Sequence, residues 1–499
     1  MSGIYDDKNR QVLPRWYPFG TACGMGDIEP ATPHVSQVPF PRQLLDDKIH
    51  AWREKRTAYH AVDLVGMALI IGEATLTDAF DAANFILSSE SSVPALTREI
   101  AEVYLSDPTS NIEPNTKLEK KSVGSRLEIA HLKAKVRHYQ YNAIVWADLA
   151  FYYTLLGQTH KAERCMTIAL ALGPDNRFIL RSAARCFLHL GNSDKALFHL
   201  RQSEQSAYDP WLASAEIAIA EGVGERPRLI KAASHLVVDC NLSAWSRNEL
   251  AATLGTLEWK HGSTKQSRRL FAQALAEPNE NTIAQAEWLS EAQGREAVRP
   301  EKPVFAPYEA NARHDFREGE YALALRNAER WFEYQPFTSR PAILASYIAS
   351  VCLRDDQEAV RIIERARVSS PDNFLLQNNY AFSLASLDRP VEAELALSSV
   401  RQSELDNRER LILQATTGLI EFRRGYADVG RVLYRDAIAA FKVHRQFREA
   451  AIAALFWARE EARIHSTFAS HALHEARELG AKQGAKEVLD YLSSLPIGT

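Results

Sequence analysis

Residues 142–176, NAIVWADLAFYYTLLGQTHKAERCMTIALALGPDN, decide the fold. Trp146, Leu149, Ala150 and Tyr153 recur at i, i+3, i+4 and i+7, which lays one apolar stripe along a helix. Gly157 ends that helix. A second stripe runs through Ala162, Met166 and Ala169, and Gly173-Pro174 closes it. The small residues Ala150, Ala162 and Ala169 fall where two helices approach closely. Such a hairpin leaves apolar surface it cannot bury alone, so it calls for neighbours built alike.

This spacing resembles the tetratricopeptide repeat (TPR). With Ala143 as position 1, Trp146 falls at 4, Leu149 at 7, Ala150 at 8, Tyr153 at 11, Gly157 at 15, Ala162 at 20, Ala169 at 27 and Pro174 at 32. The resemblance implies an all-α solenoid of helical hairpins wound as a right-handed superhelix. It also implies a scaffolding or peptide-binding role on a concave face.

Working outward, Phe178 opens a second copy with Ala183, Ala184, Phe187, Gly191, Ala196 and Leu200 in place. A degenerate third unit spans about 211–240 and a fourth about 249–281, with the helix 282–292 closing the block. A fifth carries Ala312, Gly319, Tyr321, Ala324, Ala328 and Pro336. The sixth has Ala359, Ile363 and Ala366, the seventh Tyr380, Ala381, Leu384 and Ala393, and the eighth Gly418, Gly425, Tyr434 and Ala437. The spans 446–462 and 467–479 read as a further pair, and 482–492 as a capping helix. No stretch alternates long enough to read as a sheet.

Residues 1–42 hold Pro14, Pro18, Pro30, Pro33, Pro39 and Pro41, so no regular element is expected there. Trp16, Tyr17, Phe19 and Phe40 mark the segment as an extended arm that packs on the body or a partner, against the alternative of a disordered tail. Residues 43–141 read as a helical region with a degenerate repeat. It comprises helices over 44–55, 61–71, 77–87 and 94–105, a polar loop over 106–122 and a charged helix over 126–141. The first repeat block is 142–292. The proline-bearing stretch 293–307 is the expected internal boundary, and 305–499 is the second block.

Composition sets outer limits. The 499 residues are 46% hydrophobic and 24% charged with a net charge of -4, ordinary for a folded protein and no footprint of a general nucleic-acid binder. Five scattered cysteines without a CxxC pair read as reduced thiols of a cytoplasmic protein. The longest apolar run, residues 61–72, is too short to span a bilayer and contains Asp63, so no membrane insertion is expected. The first sixteen residues show no apolar core of a secretory signal.

By the resemblance, the groove is lined by positions 2, 5, 9, 12 and 13 of each first helix. In the second unit these include Arg181, Arg185 and His189, which share one face at i, i+4 and i+8. The fourth gives Trp259 and Lys260, the fifth Arg313, Phe316 and Arg317, and the eighth Phe422 and Arg423. Arginine beside aromatic rings suits an acidic, partly apolar peptide; arginines paired within the fold are the other reading. Self-association is compatible with either. The TPR clamp for chaperone tails needs a Lys and Asn where this chain has Ala147 and Phe151, so that partner is not expected.

No P-loop, HExxH or GxSxG occurs, and no cofactor or metal is expected. Cys23-Gly24-Met25-Gly26 lacks the strand and helix of a phosphate cradle. His471 and His474 lack a third ligand. Arg459 and His465 carry the spacing of the HEPN-type ribonuclease motif, a remote catalytic alternative. The expected function is a non-catalytic interaction scaffold, with an effector-sensing regulator as runner-up.

Overall fold

The computed structural model describes residues 10–19, 41–71, 76–88, 98, 101–102, 104–105, 115–294 and 304–495. Among them, every regular element is helical. The chain divides into two compact units, Pro18–Leu172 and Met1–Tyr17 with Gly173–Thr499. The division falls at Gly173, inside the stretch read as the first block, and residues 293–307 lie within one unit.

In the smaller unit, α1 (Pro41–Glu54), α2 (Ala58–Ile71) and α3 (Thr77–Ser88) pack around Leu45, Trp52, Leu64, Val65, Ala82 and Ile86. A long α4 (Asn115–His138) follows, then α5 (Ala143–Leu155) and α6 (Thr159–Leu172). Helix α4 starts within the expected loop, because residues 115–122 contain neither proline nor glycine to stop a charged helix from extending backwards. The remainder of that loop, most of the helix expected over 94–105, and Cys23 with its glycines lie outside the described residues.

Helices α5 and α6 form the hairpin expected of residues 142–176. The Asn142 side chain accepts from the Ile144 N–H and caps α5. Ala150, Ala162 and Ala169 are fully buried where the helices meet. Gly157 turns the chain with a φ of 66°, a conformation that costs other residues about 1–2 kcal/mol.

The larger unit repeats this hairpin. In chain order its helices are α7 (Arg177–His189), α8 (Ser193–Gln202), α9 (Pro210–Gly222), α10 (Ile230–Leu236), α11 (Ala244–His261), α12 (Thr264–Ala274), α13 (Glu280–Ala292), α14 (Tyr308–Glu318), α15 (Tyr321–Tyr334), α16 (Arg340–Tyr347), α17 (Asp356–Arg367), α18 (Phe374–Ser386), α19 (Pro390–Ser398), α20 (Asn407–Arg423), α21 (Ala427–Val443), α22 (Phe447–Arg463), α23 (Ala469–Gln483) and α24 (Lys486–Ser493). Most consecutive helices pack on one another, while α11 packs on α9, α12 and α13. One apolar core runs from Ala312 to Leu492, and another joins α9 to α13.

Several turns carry no glycine. Arg354, Asp388, Arg445 and His465 hold positive φ values of 61°, 60°, 57° and 52° at places where Gly319 and Gly425 serve other hairpins. His465 therefore lies beyond the end of α22, off the helix that carries Arg459.

Candidate peptide groove

Residues 10–17 have no regular structure, yet Arg10, Gln11, Val12, Trp16 and Tyr17 are each less than a tenth exposed. Within the segment a backbone bond runs from the Leu13 N–H to the Gln11 carbonyl, 2.9 Å. An extended chain so deeply covered must place its polar groups on neighbouring side chains.

Helices α13 and α14 supply those side chains. The Gln285 amide donates to the Arg10 carbonyl at 3.0 Å, and the Asn281 amide to the Leu13 carbonyl at 2.9 Å. Asn281 and Gln285 are one turn apart on α13, so two amides reach two carbonyls along the extended segment. The Arg10 guanidinium donates twice to Glu309, from Nε to Oε1 and from Nη2 to Oε2, both at 2.9 Å. It also donates to Gln285 Oε1. Arg15 reaches the same Glu309 at 2.7 Å and Gln335 Oε1 at 2.8 Å.

Between these anchors the segment is apolar. Val12 packs into the core of α9 and α11 with Ala213, Ile217 and Leu250. Trp16 lies against Phe337 with ring centres 5.4 Å apart, and Tyr17 against Tyr334 at 4.9 Å. The Tyr17 hydroxyl donates to Glu280 at 3.2 Å.

Glu309 is the electrostatic centre. Burial raises a carboxyl group's pKa, but Arg10, Arg15 and Arg340 outweigh that and hold Glu309 well below its usual range. Burial drags the Arg10 guanidinium down to about 10 against the pull of Glu309, so it stays charged at neutral pH. Burial opposes the charge of Arg15 too, but Glu309 leads a set of neighbours that raises it. Glu280 is pushed up, first by burial and then by Glu249, against Arg15.

Four of the five arginines named from the sequence, Arg181, Arg313, Arg317 and Arg423, are tied to carboxylates of this chain. Arg181 is buried, 3.0 Å from Glu249, with its guanidinium over the Trp211 ring. Arg313 is buried within 3.5 Å of Glu291 and 3.7 Å of Glu309. Arg317 pairs with Glu287 at 2.7 Å, and Lys260 with Glu221 at 3.6 Å. Arg423 grips Glu460 through two nitrogens at 2.6 and 2.9 Å. Trp259 packs edge-on to Trp288. Phe316 and Phe422 sit in the core, packed against Tyr347 on α16 and Tyr434 on α21.

Arg185 and His189 do meet the arm's surroundings. The Arg185 guanidinium stacks on Phe337, the ring that also receives Trp16. Burial, then Arg15 and Arg340, lowers Arg185 to about 10. His189 Nε2 lies 3.0 Å from the Ser369 carbonyl, and burial followed by Arg185 lowers its pKa to about 4. These pairings lend no support to an acidic partner. The groove residues missing from the sequence reading are Asn281, Gln285, Glu309, Gln335 and Phe337. The signal was the one-turn spacing of Asn281 and Gln285, which the sequence reading split between the end of the fourth unit and the closing helix 282–292, whereas the helix begins at Glu280.

Arg459 lies on α22, whereas His465 follows the end of that helix in a left-handed turn. Arg459 is partly buried, donates to Glu460 at 2.7 Å and lies over the rings of Phe456 and Phe382. Among the described residues no cluster of three His, Cys, Asp or Glu is placed to hold a metal ion, and no helix is long and apolar enough to cross a membrane.

No known family model matches the chain, and no curated protein matches it. Solved structures that resemble it include the Cut9–Hcn1 hetero-tetramer of the APC/C, at 11% identity with 91% of this chain and 94% of that one covered and a TM-score of 0.33. A human IFIT1 dimer with PPP-AAAA aligns at 10% identity, 90% and 92% coverage and a TM-score of 0.28. Naa15/Naa10 bound to HypK-THB aligns at 13%, 91%, 86% and 0.24. Scores this low lend no weight to any function.

Proposed function

We propose that the chain is a non-catalytic interaction module that holds an extended polypeptide segment against α9, α11, α13 and α14. The supporting observation is the seating of residues 10–17, whose backbone carbonyls are taken by Gln285 and Asn281 while Arg10 and Trp16 fill side-chain sites. This is the way a groove reads a peptide: side-chain amides fix the backbone, and a few charged and aromatic anchors supply most of the affinity. A surface organised before the partner arrives loses little conformational entropy on binding. The described cysteines, Cys165, Cys186, Cys240 and Cys352, are all free thiols, which suits a reducing cytoplasm.

Photo-crosslinking in native extract tests this. One probe replaces Gln335 in the groove of a chain lacking residues 1–17; a second replaces Val391, 74% exposed on α19. A partner protein crosslinked through an extended segment at the Gln335 probe is the expected result. A partner caught only at Val391 overturns the groove reading, and no protein at either probe turns it toward effector sensing.

A further inference from the structure

We propose, resting on the groove reading above, that residues 10–17 are an exchangeable internal ligand. The outside partner is then an extended basic-aromatic segment: an arginine, four residues, a second arginine and two aromatic rings. The occupant sits as a ligand does. It shares no backbone ladder with the helices, and side chains of the groove reach it through α13, α14 and the turn after α15. Its two arginines, five residues apart, converge on one carboxylate, Glu309. Its two rings pack at a tilt against Phe337 and Tyr334.

The partner's sign follows from where the arm's arginines land, on Glu309, although Arg313 and Arg340 of the scaffold also lie within 4 Å of that carboxylate. The arm meets Glu309 and Glu280, both buried. An acidic segment in the same place would set carboxylate against carboxylate in a site with little water, whereas a basic segment reproduces the two-armed grip of Arg10. Tethering gives the arm an effective concentration on the order of millimolar. An outside segment therefore engages only by making better contacts than residues 10–17 or by arriving at high local concentration. The arm sets a threshold for binding.

The test uses the full chain with a protease site inserted between Gly20 and Phe40 and a fluorophore at the N-terminus. After cleavage, the synthetic peptide KNRQVLPRWYPF (residues 8–19) is added as competitor and release is followed by anisotropy, with circular dichroism as a check on the fold. Release that saturates with peptide is expected. The same peptide carrying Arg10→Glu and Arg15→Glu should compete about 100-fold less well or worse. Three results overturn the proposal. The nicked chain could keep its fragment at any peptide concentration, it could unfold on cleavage, or the glutamate peptide could compete as well as the native one. The first two make the arm a fixed part of the core and leave the groove reading to the Gln335 crosslink. Exchange without any partner at that probe would instead sink the groove reading alone.

Discussion

On α13 and α14, Asn281, Gln285 and Glu309 reach residues 10–17; on α20 and α22, Arg423 and Glu460 reach each other. The second region is closed by its own side chains. Glu460 takes Arg423 and Arg459, Arg423 also reaches Asp388 at 2.9 Å, and Phe382 packs on Phe456 at 4.5 Å. Burial would raise Glu460, but Arg459 and Arg423 hold it below its ordinary range. Both regions bury carboxylates among arginines. They differ in where the polar atoms end: on the scaffold in one, on a separate stretch of chain in the other. A buried charge network is therefore a binding surface only where part of it is contributed by something that can leave.

The largest expected effect breaks the two regions apart. Glu309→Ala and Glu460→Ala should each destabilise by about 3–5 kcal/mol, since each strands buried arginines. Deleting residues 1–17 should shrink the Glu309→Ala cost, because two of its arginines depart with the arm, and leave the Glu460→Ala cost unchanged. Urea denaturation of the four variants and their parents measures the coupling. Equal coupling of both glutamates to the deletion would erase the distinction. Trp16→Ala comes next. Losing a buried tryptophan costs about 3 kcal/mol, but here the loss should appear as release of the arm. Trypsin cleavage after Arg10 and Arg15 should accelerate at least about 10-fold while the melting temperature moves little. Phe456→Ala, equally buried, should instead lower the melting temperature of the whole unit.

The hairpin seams were legible because close approach demands small residues at fixed spacing. Ala150, Ala162 and Ala169 announced α5 and α6, and Gly418 announced α20. A Cβ on Gly430 would stand 2.7 Å from the Gly418 carbonyl oxygen and 2.5 Å from the Phe422 ring. Gly430→Ala should thus cost about 2 kcal/mol by overpacking, while Gly222→Ala beside the arm meets Gln11 at an ordinary 3.6 Å and should cost little; thermal melts of the pair check this. The turns at Arg354, Asp388, Arg445 and His465 were illegible because non-glycine residues hold the left-handed conformation there, carried by packing on both sides. The groove was only half legible. Repeat positions pointed to Arg181, Arg185 and Arg313, but a side chain's partner depends on what packs opposite. No periodicity links Arg10 to Glu309, 299 residues away.

His189 gives the smallest effect and the finest probe of the groove. It lies between Arg185 on its own helix and Phe337 and Ser369 across from it. Burial and Arg185 lower its pKa to about 4 from an ordinary 6.5. Between those values the unfolded chain binds a proton that the folded chain does not, so stability falls as pH drops from about 6.5 toward 4 and is unaffected above it. From pH 7 to pH 5 the loss should be about 1–2 kcal/mol, the lower end because the ring is partly exposed. His189→Gln, which keeps a donor for the Ser369 carbonyl, should remove that slope and leave the steeper acid loss from Glu309, whose depressed pKa acts only below about 4.5. The two segments of the stability–pH curve should therefore respond separately, the upper one to His189 and the lower one to Glu309. If His189→Gln leaves the curve between pH 7 and 5 unchanged, the imidazole is solvated in the folded chain and the groove at Phe337 is open rather than closed over the arm.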